Sequence, residues 1–248
     1  MAPIWIDEAG FLKLLREGVA RSNDMIALIT DYHGGPVTTE YMLTSDIARE
    51  LIHQNHEVHV EYLNRRMVNG MTMRRSGPPV PKFGSRRTDV AVLKDQIIPR
   101  AIVEVKIGVK TLRGILEDLE KITDTIGAMK PQYAVNVWGA AVFQVHIAGG
   151  PRRYTEQHLR DAVEQVERTL QTQLKAYASL KNGFQFSFHP LQSDDAGIVP
   201  QELEPDGDGM AWGRHGHATR NYAVLIQSTE LQPGPARTFE DLKALSRS

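Results

Sequence analysis

Two apolar segments joined by a short polar connection dominate the stretch that runs from Arg86 to Thr111. Val, Ile and Ala recur at every second position along Thr88–Leu93 and again along Ala101–Ile107, which is the pattern of β-strands. The connection contains Lys94–Gln96 and Pro99, and proline suits a turn or the edge of a strand. The stretch therefore predicts a β-hairpin.

The predicted hairpin brings two acidic side chains together. Folding about the middle of the connection pairs residues whose numbers add up to about 193, so that Asp89 faces Glu104. Opposed side chains lie roughly 5 Å apart, and two like charges at that distance destabilise a sheet. Lys106 shares the face of Glu104 because side chains repeat every second residue along a strand. A divalent cation would offset the repulsion, and Mg²⁺ prefers such oxygen ligands, so the hairpin predicts a metal site.

The spacing of these residues resembles that of a known family. Asp89, fourteen further residues and then Glu104, Val105 and Lys106 are similar to the core of the PD-(D/E)xK nuclease superfamily, which has the restriction-endonuclease-like fold. The resemblance implies that Asp89 and Glu104 bind Mg²⁺, with Mn²⁺ as a substitute, and that the backbone carbonyl of Val105 is a further ligand. It implies that Lys106 orients or deprotonates the attacking water, or stabilises the transition state. The sequence departs from the superfamily pattern at Thr88, where a proline is usual.

The alternative to a metal site is an ordinary surface hairpin that carries a Glu–Lys pair. The segment Glu117–Ile122, which follows the second strand, resembles the "DLxKL"-like segment found after the Glu-x-Lys strand in several families of the superfamily. It is also compatible with a generic amphipathic helix, so the alternative stays open.

A predicted helix before the hairpin supplies a further candidate ligand. Its apolar positions run at helical spacing to about Gln54. Many members of the superfamily carry a glutamate near the start of the first core helix, and this residue assists metal binding. Glu40 matches that position through the offsets of the apolar residues after it, so the resemblance gives it a metal-binding role, directly or through a water. Glu50 is the second choice. An ordinary surface glutamate is the alternative for both residues, and for Glu50 that alternative is favoured.

A basic segment lies between the helix and the hairpin. It contains seven Lys or Arg and no Asp or Glu, interspersed with Gly and Pro, which predicts a long irregular loop. Positive charge on such a loop suits contact with phosphate groups, and a solvated loop without that role is the alternative. The predicted nucleic-acid-binding residues are Arg65, Arg66, Arg74, Arg75, Lys82, Arg86 and Arg87.

The remaining patterns predict an α/β protein. Helical patterns cover 6–21, 110–128 and 155–180, and strand patterns cover 56–63, 133–147, 184–189 and 222–227. The order helix, strand, strand with Asp, strand with Glu-x-Lys, helix and strand is the common core of the superfamily. We therefore expect a restriction-endonuclease-like core, with a central mixed β-sheet flanked by helices, and an α/β C-terminal extension. The expected nuclease-like domain is 1–195, with its core at about 38–147, and a flexible loop, strand and tail at 196–248 pack on it.

Composition limits the remaining choices. Of 248 residues, 41% are apolar and 24% are charged, as in ordinary globular proteins. The absence of cysteine excludes disulfides, thiolate metal sites and a cysteine nucleophile. No signal-peptide pattern or long apolar run is present, so a cytoplasmic protein without a membrane partner is expected.

Together these features predict a metal-dependent nuclease of the PD-(D/E)xK type, namely a Mg-dependent (endo)deoxyribonuclease that hydrolyses DNA phosphodiester bonds. DNA is expected as the partner in preference to RNA. Restriction, repair and anti-phage defence stay open as roles, as does a homodimer. The alternative is a catalytically silent nuclease-like fold that acts as a nucleic-acid-binding or protein-interaction module. A third interpretation is an α/β interaction protein in which the hairpin pattern is a coincidence.

Overall fold

The computed structural model describes residues 6–29, 40–74, 83–148, 156–191 and 217–229. Its helices are α1 (Glu8–Ile29), α2 (Glu40–His53), α3 (Asn64–Met67), α4 (Leu116–Gly127), α5 (Pro131–Ala134) and α6 (Glu156–Ala178). Its strands are β1 (Glu57–Leu63), β2 (Arg87–Lys94), β3 (Ile98–Lys106), β4 (Trp138–Ala148), β5 (Phe184–Pro190) and β6 (His217–Ser228).

The six strands form one mixed sheet in the order β1-β2-β3-β4-β6-β5. β3 and β4 are parallel, and all other neighbouring strands are antiparallel. The predicted α/β class with a central mixed sheet and flanking helices is confirmed. Within the predicted C-terminal extension, β6 lies between β4 and β5 and belongs to the central sheet. The predicted flexible loop and tail of that region lie outside the described residues.

The predicted hairpin is confirmed by the pairing of β2 with β3. Val90 lies opposite Val103 and Val92 lies opposite Ala101, which is the predicted register. Beyond Val92 the register shifts by one residue, as in a β-bulge. The hairpin therefore holds its predicted alignment on the side where the acidic residues lie.

A tight turn closes this hairpin. Asp95 and Gln96 have positive φ angles of 53° and 58°, and the N–H of Ile97 donates to the carbonyl of Lys94 at 3.2 Å. Positive φ at both central residues is what a type I′ turn requires, and that turn matches the twist of the strands it joins. The local turn thus helps to set the register of the whole hairpin.

Helices cover both faces of the sheet because the strand residues alternate between two cores. On one face Val90 and Val103 pack with apolar side chains of α1 and α2. On the other face Ala91 and Ile102 pack with those of α4 and α6. Gly139 of β4 permits this second packing, because a Cβ there would collide with the side chain of Ile122 on α4.

Part of the predicted irregular basic loop is regular structure, so that prediction was wrong for α3 and for the bridge at Met73 but holds for the turns between them and for 83–86. Asn64–Met67 forms α3, and Met73 forms an isolated bridge with Met129. Two apolar residues of the basic segment, Met67 and Val68, are 0% and 2% exposed. Their burial in the core stabilises this part of the segment in a fixed position. Positions 75–82 lie outside the described residues.

Two predicted element boundaries also change. The strand expected to begin at Tyr133 begins at Trp138, because Pro131–Ala134 forms α5. Proline at the first helical position is pre-set for a helix start, and Pro131 occupies that position. The first helix, expected to end at position 21, continues to Ile29. The residues from Met25 to Ile29 therefore form its last turn.

Candidate active site

Asp89 and Glu104 lie one step beyond Val90 and Val103, a residue pair of the hairpin in the predicted register. Oδ2 of Asp89 accepts a hydrogen bond from the N–H of Val105 at 2.7 Å. This bond attaches the Asp89 carboxylate to β3 next to Glu104. The two acidic residues are therefore close neighbours, and the charge of Asp89 adds to the rise in the pKa of Glu104 that burial causes.

Glu104 is the most deeply buried of the candidate residues. It is 1% exposed; its Oε1 has no hydrogen-bond partner among the described residues, and its Oε2 is contacted by Lys121. An ion pair with Nζ of Lys121 on α4 offsets part of its charge. Burial raises the pKa of Glu104 well above its ordinary value, Lys121 opposes that rise, and Asp89 adds to it. The result is a buried carboxylate that still has capacity for a cation.

Lys121 contacts more than one acceptor. Its Nζ donates to the backbone carbonyl of Arg87 at 3.0 Å and lies 3.7 Å from Oδ1 of Asp118, in addition to the contact with Glu104. Burial lowers the pKa of Lys121, but the carboxylates of Glu104, Asp118 and Asp89 raise it by more, so that its pKa lies above the ordinary value. Lys121 is thus a cation held among acidic groups.

Sequence reasoning did not assign site roles to Asp118 and Lys121, although the segment that contains them was noted. A signal for them was present. The two residues are three positions apart, so they lie on one face of the helix, and the buried residues Leu119 and Ile122 follow each of them directly. Helical periodicity therefore places both at the border of the core face.

The structure also separates the two candidate helix glutamates. Oε2 of Glu40, the first residue of α2, lies 3.4 Å from Nζ of Lys106 at the end of β3. Glu50 is 6% exposed, and its Oε1 accepts a hydrogen bond from Nε of Arg21 on α1 at 2.5 Å. The surface location predicted for Glu50 was wrong, because α1 covers it and supplies the positive partner. Glu40 is the one that reaches the hairpin.

Asp118 interacts electrostatically with both ion pairs of the site, the one between Lys121 and Glu104 and the one between Lys106 and Glu40. Burial raises its pKa, the charges of Lys121 and Lys106 lower it, and those of Asp89 and Glu40 raise it. We call the four carboxylates and two lysines the site cluster; its members are Glu40, Asp89, Glu104, Asp118, Lys106 and Lys121. Four acidic groups less two basic groups leave a formal charge of −2 when all are ionised.

The donor set fits a hard divalent cation in its chemistry. The carboxylates of Asp89 and Glu104 are the oxygen ligands that Mg²⁺ uses, and Oε1 of Glu104 has no hydrogen-bond partner among the described residues. Within the same part of the chain, no group of three or more acidic or histidine side chains is arranged to hold a metal ion. Lys121 instead contacts Glu104, and the N–H of Val105 engages one oxygen of Asp89.

Two of the predicted nucleic-acid-binding residues lie beside the site cluster. Nη1 of Arg86 is 3.7 Å from Oδ2 of Asp124 on α4. Arg87 donates from Nη1 to the carbonyl of Glu61 at 3.0 Å, and its own carbonyl accepts from Lys121. Both arginine side chains are exposed, so positive charge flanks the site at the start of β2.

The other basic residues are spread more widely. Arg65 and Arg66 are exposed on α3, and Arg66 and Arg87 line a groove of about 680 Å³ that follows β1. The backbone N–H of Arg74 donates to the carbonyl of Ala128 at 3.0 Å. Arg75 and Lys82 lie outside the described residues.

Comparison of the chain with protein-family models, with curated proteins and with solved structures finds no significant match. In the described part of the chain, no helix has the length and apolar character needed to cross a membrane. The geometry of the site cluster is therefore the basis for inferring a function.

Proposed function

We propose that this protein is a metal-dependent nuclease of the PD-(D/E)xK type that hydrolyses DNA phosphodiester bonds. The supporting observation is the carboxylate of Glu104, which is 1% exposed, lies beside Asp89 and has one oxygen without a hydrogen-bond partner among the described residues, while its other oxygen contacts Lys121. Burying such a group costs free energy, and groups of this kind are concentrated at functional sites. The observed order α2, β1, β2, β3, α4, β4, ignoring the short helix α3, is also the order that the family resemblance implies.

The residues that the sequence singled out for the site each have a role in this proposal. Asp89 and Glu104 hold Mg²⁺, or Mn²⁺ in its place, with the carbonyl of Val105 as a further ligand. When bound, the metal ion acts as a Lewis acid and lowers the pKa of a bound water. The ammonium of Lys106 orients the attacking water and stabilises negative charge on the phosphate. Glu40, which is 3.4 Å from that ammonium, positions it and assists metal binding directly or through a water.

The exposed arginines beside the site supply the contact with substrate. Arg86 and Arg87 both contact α4 next to the site cluster. Arg86 pairs with Asp124, and the carbonyl of Arg87 accepts a hydrogen bond from Lys121. Contacts from arginine to phosphate position a nucleic acid without reading its sequence. We therefore place the DNA backbone across the start of β2, where the scissile phosphate meets Lys106 and the two acidic residues.

A catalytically silent nuclease-like fold that binds nucleic acid or protein is the second candidate. The ion pair between Lys121 and Glu104 favours it, because a permanent lysine partner would neutralise the carboxylate without a metal ion. The hydrogen bond from the N–H of Val105 gives one oxygen of Asp89 a partner that is not a metal ion. In this candidate the site cluster is a structural ion-pair network.

A cleavage assay distinguishes the two candidates. Supercoiled plasmid and labelled single-stranded and duplex oligonucleotides are incubated with the protein in Mg²⁺, in Mn²⁺ and in EDTA. We expect cleavage that requires the metal and is lost in Glu104→Gln. Glu117→Gln is the matched control, because Glu117 is exposed on α4. Binding of DNA without cleavage in either metal would favour the silent module.

A further inference from the structure

The two lysines of the site cluster occupy different environments. The side chain of Lys106 is 44% exposed, and that of its partner Glu40 is 38% exposed. The side chain of Lys121 is 18% exposed and that of its partner Glu104 is 1% exposed. Attraction between charges is much stronger where water is excluded. The pair of Lys121 and Glu104 is therefore the stronger electrostatic interaction in the cluster.

The position of Lys121 conflicts with a metal ion at Glu104. The ammonium group contacts an oxygen of the buried carboxylate that the proposed function assigns to the cation. Two positive charges next to one carboxylate repel each other, and in a buried site this repulsion is weakly screened. A divalent cation and the ammonium of Lys121 therefore cannot both occupy Glu104 without a large cost.

The structure also contains an alternative location for this ammonium. Nζ of Lys121 already donates to the carbonyl of Arg87 at 3.0 Å, and Oδ1 of Asp118 is 3.7 Å away. Asp118 lies one helical turn before Lys121, so it stays within reach when the lysine side chain moves. A lysine that leaves Glu104 keeps two acceptors and is not left unpaired.

We propose that Lys121 competes with the divalent cation for Glu104. In the metal-free protein its ammonium neutralises the buried carboxylate, and metal binding transfers Lys121 from Glu104 to Asp118. This inference rests on the proposed function, because it takes Glu104 as a metal ligand. Lys121 is in this sense a regulatory residue of the site: it stabilises the metal-free fold and weakens metal affinity.

The test measures Mn²⁺ binding to the full chain without nucleic acid, from the electron paramagnetic resonance signal of free Mn²⁺. We expect Lys121→Met to bind Mn²⁺ about tenfold more tightly, within the usual range of coupling between two ligands. Lys121→Arg keeps the charge and should bind with an affinity close to that of the unmodified protein. Lys13→Met is the matched control, since Lys13 forms an exposed ion pair with Glu17 on α1.

A second measurement avoids any dependence on the folding of Lys121→Met. The side-chain Nζ resonance of Lys121 is followed by NMR in ¹⁵N-lysine-labelled protein during titration with Mg²⁺, and Lys121→Arg assigns the signal. We expect a saturable shift of that resonance, whereas the resonance of Lys13 stays unchanged.

The outcomes separate this inference from the function on which it rests. Saturable Mn²⁺ binding that Lys121→Met leaves equal or makes weaker overturns the competition and leaves the nuclease proposal intact. An Nζ resonance that stays fixed while Mg²⁺ saturates the protein overturns it equally. Absence of saturable Mn²⁺ binding in all the variants overturns the metal chemistry itself, and the competition with it.

Discussion

Nζ of Lys121 on α4 forms an ion pair with the carboxylate of Glu104 on β3. This contact joins the helix to the most deeply buried acidic residue of the site cluster. It offsets the repulsion between Glu104 and Asp89 that the hairpin register creates. The ammonium of Lys121 thus offsets the charge of the buried carboxylate. The stability of the site and the pKa of Glu104 depend on this ion pair.

The first prediction concerns the pH dependence of stability. Burial raises the pKa of Glu104 above the ordinary value of 4.5, so the folded state binds this proton more tightly than the unfolded chain. The favourable contribution is present at pH values below 4.5 and is lost as the pH rises through the raised pKa. Lys121 limits the rise in the pKa of Glu104, but it is protonated in both states throughout that range and adds no pH dependence of its own.

We therefore expect the free energy of unfolding to decrease less with rising pH in Glu104→Gln than in the unmodified protein. Each unit of pKa shift corresponds to about 1.4 kcal/mol. Urea unfolding in EDTA at a series of pH values above 4.5 measures the difference, with Glu117→Gln as the exposed control. Parallel pH profiles for the unmodified protein and Glu104→Gln would contradict the raised pKa.

The second prediction separates the two glutamates of α2. Glu40→Gln should reduce the metal-dependent cleavage rate by at least about tenfold, or roughly 1.4 kcal/mol of transition-state stabilisation, because Glu40 positions Lys106. Glu50→Gln should reduce the free energy of unfolding by roughly 1–3 kcal/mol, because Glu50 pairs with Arg21 in a buried position. Single-turnover cleavage and urea unfolding are measured on both variants. A rate loss confined to Glu50→Gln would show that the assignment of roles is reversed.

The third prediction concerns Asp89. Charge repulsion alone predicts that Asp89→Ala leaves the metal-free fold intact or slightly stabilises it. The hydrogen bond from the N–H of Val105 at 2.7 Å reverses that expectation, because its loss leaves a backbone donor unpaired at a cost of about 1–3 kcal/mol.

Asp89→Asn is the matched variant, since it removes the charge and keeps an acceptor oxygen for Val105. We expect Asp89→Ala to unfold at lower temperature than Asp89→Asn in EDTA, and we expect both to lose cleavage. Calorimetry provides the comparison. Equal melting temperatures would mean that the bond from Val105 contributes nothing to stability.

The fourth prediction concerns the arginines beside the site. Replacing Arg86 and Arg87 together by glutamine should weaken binding to all DNA sequences alike. The slope of log affinity against log salt concentration should decrease by about two, because each phosphate contact contributes about one to it. Fluorescence anisotropy at several salt concentrations measures the slope, with Arg168→Gln on the exposed face of α6 as the control. An unchanged slope would place the DNA-binding surface elsewhere.

Local patterns account for much of what could be predicted about the site. Alternating apolar residues predicted both strands of the hairpin, and the short connection predicted the register observed between Val90 and Val103. Helical spacing after Glu40 indicated that it begins a helix, and α2 does begin there. These features depend on residues that are near each other in the chain, so their geometry follows from the period of the strand or helix.

Local repeats in the amino-acid sequence specify the hairpin, its register beside the acidic residues and the apolar faces of the helices. The contact of Lys121 with Glu104 and that of Arg21 with Glu50 follow from the packing of distant elements. The tertiary structure alone also placed β6 inside the sheet. For a charged residue at the border of a helix face, the neighbouring sequence does not predict which residue will be its ion-pair partner. Its partner is chosen by how the helix packs on the sheet, which depends on apolar contacts such as the fit of Ile122 over Gly139.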